Sequence, residues 1–173
     1  MTKVLITGVS SGIGLAQARL FLKNSCAVYG VDKSQAPQIQ DDNFHFLQLD
    51  LTTDLAALYD FVQDVDILCN TAGILDAYKP LLEVSDDELE RVFQTNFFAT
   101  VKITRHYLAK MVERKSGIII NMCSIASFIE VVAEQLTPLV NTLLQASRAS
   151  WHLTMLRIRF KFLVSHQVRL RQP

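Results

Sequence analysis

Near the start of the chain, three glycines at fixed spacing separate a short apolar run from a helical pattern. The run covers residues 4–6, and the turn covers residues 7–14 as Thr-Gly-Val-Ser-Ser-Gly-Ile-Gly. Apolar side chains then recur at helical spacing at Ile13, Ala16 and Leu20. A glycine-rich turn between a strand and a helix lets bare backbone approach a pyrophosphate, whose charge the helix N-terminus stabilises. Glycines also form tight turns that bind nothing, but the flanking strand and helix favour nucleotide binding.

Apolar runs with the character of strands alternate with helical patterns beyond this turn. Strands are predicted at residues 27–31, 44–49, 67–69 and 118–120. Thr52 or Thr53 can cap a helix that continues to Val62, and a capping box at Ser85 opens a long helix towards Glu113. Continuous apolar strands separated by helices indicate an α/β fold, in which both faces of a parallel sheet are covered.

An acidic residue stands where the second predicted strand ends. Asp32 follows Gly14 by 18 residues. A carboxylate at this place can accept hydrogen bonds from both ribose hydroxyls of NAD, and it would repel the 2′-phosphate of NADP. A solvated loop acid is the alternative interpretation. The glycine-rich turn upstream favours the cofactor-binding one.

Composition places the chain among globular proteins and excludes several functions. Of its 173 residues, 50% are apolar and 20% are charged, and 17 basic residues balance 17 acidic ones. This balance gives no global field that would favour nucleic acid or an anionic membrane, and no apolar run is long enough to span a bilayer. The three cysteines lie far apart and the four histidines show no ligand spacing. We therefore predict reduced thiols, no metal site and a cytoplasmic location.

Further motifs follow the glycine turn in a characteristic order. Residues 70–73 read Asn-Thr-Ala-Gly after the fourth predicted strand, Asn96 lies in the long helix, and Ser124 follows the fifth strand. With the Thr-Gly-x-x-x-Gly-x-Gly turn, they resemble the classical short-chain dehydrogenase/reductase family, with Thr71 replacing the second asparagine of its Asn-Asn-Ala-Gly motif. The resemblance implies a Rossmann-like doubly wound parallel sheet of order 3-2-1-4-5 within residues 1–128, truncated before the sixth and seventh strands.

The resemblance also implies roles for individual residues, with NAD favoured over NADP as the cofactor. The implied cofactor-binding residues are Gly8, Ser10, Ser11, Gly12, Ile13, Gly14, Asp32, Asp50, Leu51, Asn70, Ala72 and Gly73. Among them, Asp50 and Leu51 match the pair that meets the adenine in the family. Ser124 corresponds to the catalytic serine that polarises the substrate oxygen, and Asn96 to the asparagine that holds a proton-relay water. Taken alone, Ser124 could be an ordinary strand-end hydroxyl and Asn96 a helix residue bonded to nearby backbone. Cys123 has no identifiable base and is interpreted as a small apolar neighbour.

The family's acid/base pair is missing from the chain. Its chemistry needs a tyrosine about 13 residues after the serine and a lysine four residues later, and the chain has Thr137 and Asn141 there. No tyrosine follows Tyr107, and the only lysine after Ser124 is Lys161. The tyrosine is the family's proton donor and acceptor, and the lysine lowers its pKa. We expect little catalysis from the chain as it stands.

The codons that encode the last part of the chain permit a different interpretation. When each new codon starts on the third base of the previous one, residues 136–142 can encode Tyr-Thr-Ser-Ser-Lys-His or Tyr-Thr-Ala-Ser-Lys-His. This is the missing motif at the missing position. We predict that residues 129–173 are an aberrant tail translated out of frame, with the change of frame close to Glu130. An amphipathic helix at residues 136–148 and a basic, nucleic-acid-binding tail are the alternatives.

Three functions remain open at this point. The first is an NAD-linked oxidoreductase of carbonyl or alcohol substrates, a class that includes 3-oxoacyl-carrier-protein reductases and sugar or polyol dehydrogenases. The second is a nucleotide-binding remnant without catalysis. The third is a folded enzyme whose tail supplies new chemistry. The resemblance implies that an intact, in-frame form of this protein acts on a small molecule as a homo-oligomer. The balanced charge and the lack of a long apolar run predict no nucleic-acid or membrane partner.

Overall fold

The computed structural model describes residues 1–75 and 81–122. In chain order the elements are β1 Lys3–Thr7, α1 Gly12–Lys23, β2 Ala27–Asp32, β3 Phe44–Gln48, α2 Ala56–Phe61, β4 Ile67–Asn70, a 3-10 turn Leu81–Glu83, α3 Asp86–Phe93, a π-helical turn Gln94–Phe98, α4 Ala99–Glu113 and β5 Ile118–Asn121. Ser124, Cys123 and the predicted tail at 129–173 lie outside the described residues.

The five strands form one sheet in the order β3-β2-β1-β4-β5, and every neighbouring pair is parallel. This confirms the predicted fold class and strand order. The chain runs from β1 outward to β3 and then returns to the other side of β1. The switch point therefore lies between β1 and β4, where the crevice at the carboxyl ends of the strands is expected to hold a ligand.

Successive residues of the strands pack on opposite faces of the sheet. Leu5 and Leu68 belong to the core beneath α2 and α4, together with Ile103. Val4 and Cys69, their immediate neighbours in sequence, belong to the core beneath α1. Because side chains alternate along a strand, a sheet covered on both faces needs apolar residues at every position. This is why the middle positions of the inner strands β1 and β4 read as continuous apolar runs.

The predicted start of α2 is wrong. The helix begins at Ala56, with Leu55 at its N-cap and no side-chain cap. Thr52 and Thr53 instead donate their hydroxyls to the carboxylate and the carbonyl of Asp50, at 2.8 and 2.7 Å. These local bonds hold both threonines in a turn before the helix, because short polar side chains compete with helical hydrogen bonding.

The capping box at Ser85 is confirmed, but the long helix behind it is interrupted. The Ser85 hydroxyl accepts from the backbone N–H of Glu88, and the Glu88 carboxylate accepts from the backbone N–H of Ser85. Between α3 and α4 the chain makes a π-helical turn over Gln94–Phe98. Such turns are rare and are frequently found at functional sites. Asn96 lies in the middle of this turn.

Among the described helices, none is long and apolar enough to cross a membrane. Within residues 1–75 and 81–122, no three His, Cys, Asp or Glu side chains come together as a possible metal site.

Candidate nucleotide-binding site

The glycine-rich turn leaves β1 at the switch point of the sheet. Gly8 and Gly12 have φ angles of 73° and 52°, which favour glycine. A Cβ added to Gly8 would lie 2.7 Å from the Cα of Ala72, in the loop after β4. A Cβ added to Gly12 would meet no atom within 4 Å. The turn thus packs closely against the β4 loop at one glycine and is open at the next.

The N-terminus of α1 opens onto this turn without a side-chain cap. Ser11 is the N-cap residue and has extended backbone angles, but its side chain makes no capping hydrogen bond. The first turn of α1 carries no acidic residue. The first backbone N–H groups of a helix have no partners within the helix and carry a partial positive charge. This end of α1 is therefore suited to an anion.

The Asp32 carboxylate lies beside the turn, at the end of β2. One of its oxygens accepts from the backbone N–H of Ser10 at 3.0 Å, and the other accepts from the N–H of Ser34 at 2.9 Å. The Ser10 hydroxyl donates to the carbonyl of Gln35 at 2.8 Å. An ionised carboxylate has about four acceptor sites, so two remain for ribose hydroxyls. Asp32 both fastens the turn and keeps capacity for a ligand.

The loop after β4 is fastened to the other side of the turn by Thr7. The Thr7 hydroxyl oxygen accepts from the backbone N–H groups of Thr71 and Ala72, at 3.0 and 3.1 Å. Thr7 is only 2% exposed. The sequence places Thr7 in the motif but does not reveal that it joins β1 to a loop more than 60 residues away. Gly73, the last residue of the Asn-Thr-Ala-Gly motif, is exposed.

Asn70 is buried within the domain. Its side-chain amide donates to the Thr104 hydroxyl of α4 at 2.9 Å and to the Asn121 side chain of β5 at 2.7 Å. Its Oδ1 is buried and has no hydrogen-bond partner among the described residues. The backbone carbonyl of Asn70 accepts from the N–H of Met122 at 3.0 Å, and the contact of Asn70 with a cofactor stays a prediction. Sequence reasoning did not predict that Thr104 and Asn121 contact Asn70, because these residues are 34 and 51 positions away in the chain.

Asn96 binds backbone rather than facing open space. Its Oδ1 accepts from the N–H of Ile74 at 2.8 Å, and its Nδ2 donates to the carbonyl of Ile74 at 2.9 Å. Its own carbonyl accepts from the Thr100 hydroxyl at 3.1 Å. The side chain therefore holds the segment after Gly73 against the π-helical turn. The proton-relay role of Asn96 stays a prediction.

The predicted adenine-binding pair lies beyond β3. The Asp50 carboxylate accepts from the backbone N–H and the hydroxyl of Thr52, at 2.9 and 2.8 Å. These two hydrogen bonds, the backbone one first, lower the pKa of Asp50 below its usual value. The Leu51 side chain is 7% exposed and packs in the core with Val31. Any contact of Leu51 with adenine would therefore come from its backbone.

Cys69 is the thiol closest in sequence to this site. It lies in β4 and is fully buried beneath α1. Burial raises the pKa of the Cys69 thiol to about 12. A thiol with so high a pKa is protonated at neutral pH and is a poor nucleophile. Cys69 is a packing residue.

An open doubly wound sheet, a glycine turn at its switch point and an acid at the end of β2 are typical of dinucleotide-binding domains. A sequence model of the family described as short chain dehydrogenase matches residues 2–135 of the chain. The chain belongs to this family.

Curated relatives agree with this assignment. The chain is 38% identical over 130 residues to the short chain dehydrogenase andC of Emericella variicolor. The matched region covers 70% of this chain and 52% of that protein. It is 33% identical over 136 residues to a serine 3-dehydrogenase of Agrobacterium fabrum, with 72% and 54% covered. The chain spans about half the length of these curated relatives.

Two solved structures share the fold. The serine dehydrogenase from Escherichia coli has a TM-score of 0.84 at 24% identity, with 94% of this chain and 80% of that chain covered. A short chain dehydrogenase from Leptospira borgpetersenii with bound NAD+ also has a TM-score of 0.84, at 21% identity, with 99% and 73% covered.

Proposed function

We propose that this chain binds NAD(H) and forms the cofactor-binding part of an oxidoreductase that transfers hydride between NAD(H) and a carbonyl or alcohol substrate. The observation that carries the proposal is the uncapped N-terminus of α1 beside the open Gly12 and the Asp32 carboxylate. A pyrophosphate fits the N-terminus of α1, and a ribose with free hydroxyls fits the Asp32 carboxylate. A solved structure of similar fold carries NAD+. That the whole protein catalyses this hydride transfer is part of the same proposal.

The choice of NAD over NADP rests on charge. The Asp32 carboxylate lies where the adenosine ribose is expected, and it would repel a 2′-phosphate. The turn residues that could bind that phosphate are Val9, Ser10 and Ser11, and none of them is basic. We therefore expect NADH to bind more tightly than NADPH.

The binding proposal is tested by fluorescence titration of the 173-residue chain with NADH and NADPH. Replacement of Asp32 by alanine removes charge-assisted hydrogen bonds, each worth about 1.5–3 kcal/mol. It should weaken NADH by roughly tenfold to a hundredfold and remove the preference over NADPH. Asp42→Ala is the matched control, because Asp42 is an exposed acid of the segment between β2 and β3. Equal affinity for the two cofactors before mutation would contradict the role of Asp32.

Catalysis requires residues beyond this site. By resemblance, Ser124 would donate a hydrogen bond to the substrate oxygen, and NAD(H), when bound, supplies or accepts the hydride. Thr137 and Asn141 stand where the family has its tyrosine and lysine. The loss of general acid/base catalysis costs about 10² to 10⁴ in rate. We therefore expect NADH binding with very slow reduction of a reactive ketone.

A non-catalytic nucleotide-binding remnant is the second candidate, and the same absence of the tyrosine and lysine favours it. The two candidates differ in turnover rather than in binding. A single-turnover measurement with saturating NADH and a reactive ketone separates them. Slow but measurable NADH oxidation that Ser124→Ala removes supports an impaired enzyme, and no oxidation above buffer supports a remnant.

We also propose that residues 129–173 are translated out of frame. The permitted codons give tyrosine and lysine at the spacing that the family requires. The nucleotide sequence should read TAC across the junction of Leu136 and Thr137, and AAA across that of Val140 and Asn141. Any other bases there would refute the proposal. With those bases, insertion of one base near Glu130 should restore NADH-dependent reduction, and Ser124→Ala should abolish most of it.

A further inference from the structure

One polar side chain of α1 reaches two other segments at the carboxyl end of the sheet. Gln17 lies in α1, three residues after Gly14, and is partly buried. Its Oε1 accepts from the hydroxyl of Thr71 at 2.7 Å. Its Nε2 lies 4.0 Å from the sulfur of Met122, a weak acceptor. Gln17 therefore joins α1 to the loop after β4 and to the end of β5.

Thr71 belongs to a loop that is held from both helical layers. Its neighbour Asn70 donates to Thr104 of α4 on one face of the sheet. The next residue, Thr71, meets Gln17 of α1, which packs on the opposite face of the sheet. The hydroxyl of Thr71 binds Gln17 while its backbone N–H binds Thr7. The path of the chain into Ala72 and Gly73 is set by these contacts.

The position of this contact relative to Asp32 indicates which half of a dinucleotide it serves. Asp32 ends β2, on the side of β1 where the adenosine half is expected. Thr71 and Met122 follow β4 and β5, on the other side of the switch point. A dinucleotide that crosses the switch point therefore places its nicotinamide half over the ends of β4 and β5.

We propose that Gln17 is a positioning residue for the nicotinamide half of the cofactor. It acts through Thr71, whose hydroxyl it holds, and thereby sets the backbone of the loop that faces that half. It touches no cofactor atom itself. Thr71 stands where the family motif has an asparagine. This inference rests on the proposed binding of NAD(H).

The test compares NADH with ADP, which lacks the nicotinamide half, in binding to the 173-residue chain. Gln17→Leu and Thr71→Val each remove the hydrogen bond at nearly constant volume. Each should weaken NADH about twofold to tenfold, as expected for one neutral hydrogen bond, and change ADP by less than twofold. The double variant should be no weaker than the weaker single one, since both remove the same bond. Thr71→Ser keeps the hydroxyl and should bind NADH as the unmodified chain does.

Tyr107→Phe is the matched structural control. It removes a buried hydrogen bond to the Val62 carbonyl, before β4 and away from the crevice. It should lower stability without changing the ratio of NADH to ADP affinity. An equal loss of ADP and NADH affinity in Gln17→Leu would overturn the proposal, because it would show general loosening. Unchanged NADH affinity in both single variants would also overturn it.

Amide hydrogen exchange in the free protein gives a second readout that needs no cofactor. The N–H groups of Thr71 and Ala72 should exchange faster in Gln17→Leu and at an unchanged rate in Tyr107→Phe. If Gln17→Leu leaves the exchange rates of these two amides unchanged, the positioning role is refuted. If the unmodified chain binds neither ADP nor NADH, the proposed function fails, and the exchange rates still decide whether Gln17 positions the loop.

Discussion

Replacing Gly14 with alanine tests how tightly the glycine turn is packed. A Cβ added at Gly14 would lie 2.0 Å from the carbonyl oxygen of Gly8 and 3.2 Å from the Cα of Val9. Both neighbours are backbone atoms, which cannot rotate away as a flexible side chain does. The turn between β1 and α1 must therefore shift to accept the methyl group.

The expected loss follows from two opposing effects. Overpacking costs about 1–3 kcal/mol and occasionally more, and a backbone contact this short lies at the upper end. Alanine in a helix is favoured over glycine by roughly 0.5–1 kcal/mol. We expect Gly14→Ala to lower the free energy of unfolding by about 2–3 kcal/mol.

Two other glycines provide matched controls for the same chemical change. A Cβ at Gly73 would lie 3.5 Å from its nearest neighbour, Oδ1 of Asn96, an ordinary contact. Gly73→Ala should change the free energy of unfolding by less than about 0.5 kcal/mol. Gly12→Ala meets open space but keeps a φ of 52°, so it should cost roughly 1–2 kcal/mol.

Urea unfolding followed by circular dichroism ranks these variants. We expect Gly73→Ala to be the most stable of the three variants, Gly12→Ala the next and Gly14→Ala the least stable. A Gly14→Ala variant at least as stable as Gly73→Ala would refute the close packing of the turn.

Three further predictions concern single side chains. Because burial raises the pKa of the Cys69 thiol to about 12, it should resist alkylation at pH 8 in the folded protein and react after unfolding. Peptide mass mapping would show the difference. Rapid labelling of the folded chain would contradict the burial of Cys69. The pKa of Asp50 is lower in the folded state, so its carboxylate stabilises the fold above the unfolded pKa, and this contribution is lost as the pH falls through the folded pKa. Thr52→Val should therefore reduce the free energy of unfolding more at neutral pH than in acid, and an equal loss at both would count against the Asp50–Thr52 bond. Thr7→Val should lower the free energy of unfolding by about 2 kcal/mol or more, because two amide N–H groups of the loop after β4 lose their acceptor. Thr7→Ser keeps the hydroxyl and should be nearly neutral. A valine variant as stable as the unmodified chain would refute the role of the Thr7 hydroxyl in holding this loop.

The inner part of the sheet could be predicted from the sequence because β1 and β4 are apolar through their middle positions, whereas the edge strand β3 carries His45 and Gln48. The runs around Leu5 and Leu68 are buried on both faces, and such runs have few other folds available. The start of α2 could not be predicted, because the Thr52 hydroxyl has a competing partner in Asp50. The π-helical turn at Asn96 carries no signal in the spacing of apolar residues.

The candidate site was predictable only in its local part. The glycine turn and Asp32 lie within one strand–helix–strand unit, so their spacing carries the information. The contacts of Thr7 and Gln17 with the loop after β4 join residues 54 to 65 positions apart. No local pattern encodes such a distance, and only the register of β1 with β4 brings these groups together.

The most direct test of the central claim uses the six glycines of the chain as probes. Selective labelling with ¹⁵N-glycine gives six backbone amide signals, all from described residues. On addition of NADH, the signals of Gly8, Gly12, Gly14 and Gly73 should shift, because these residues surround the crevice at the switch point. Gly117 lies at the amino end of β5, whereas the crevice lies at the carboxyl ends of the strands, so its signal should stay in place. Turn glycines that do not respond, or a Gly117 signal that moves as far as theirs, would contradict NAD(H) binding at this site.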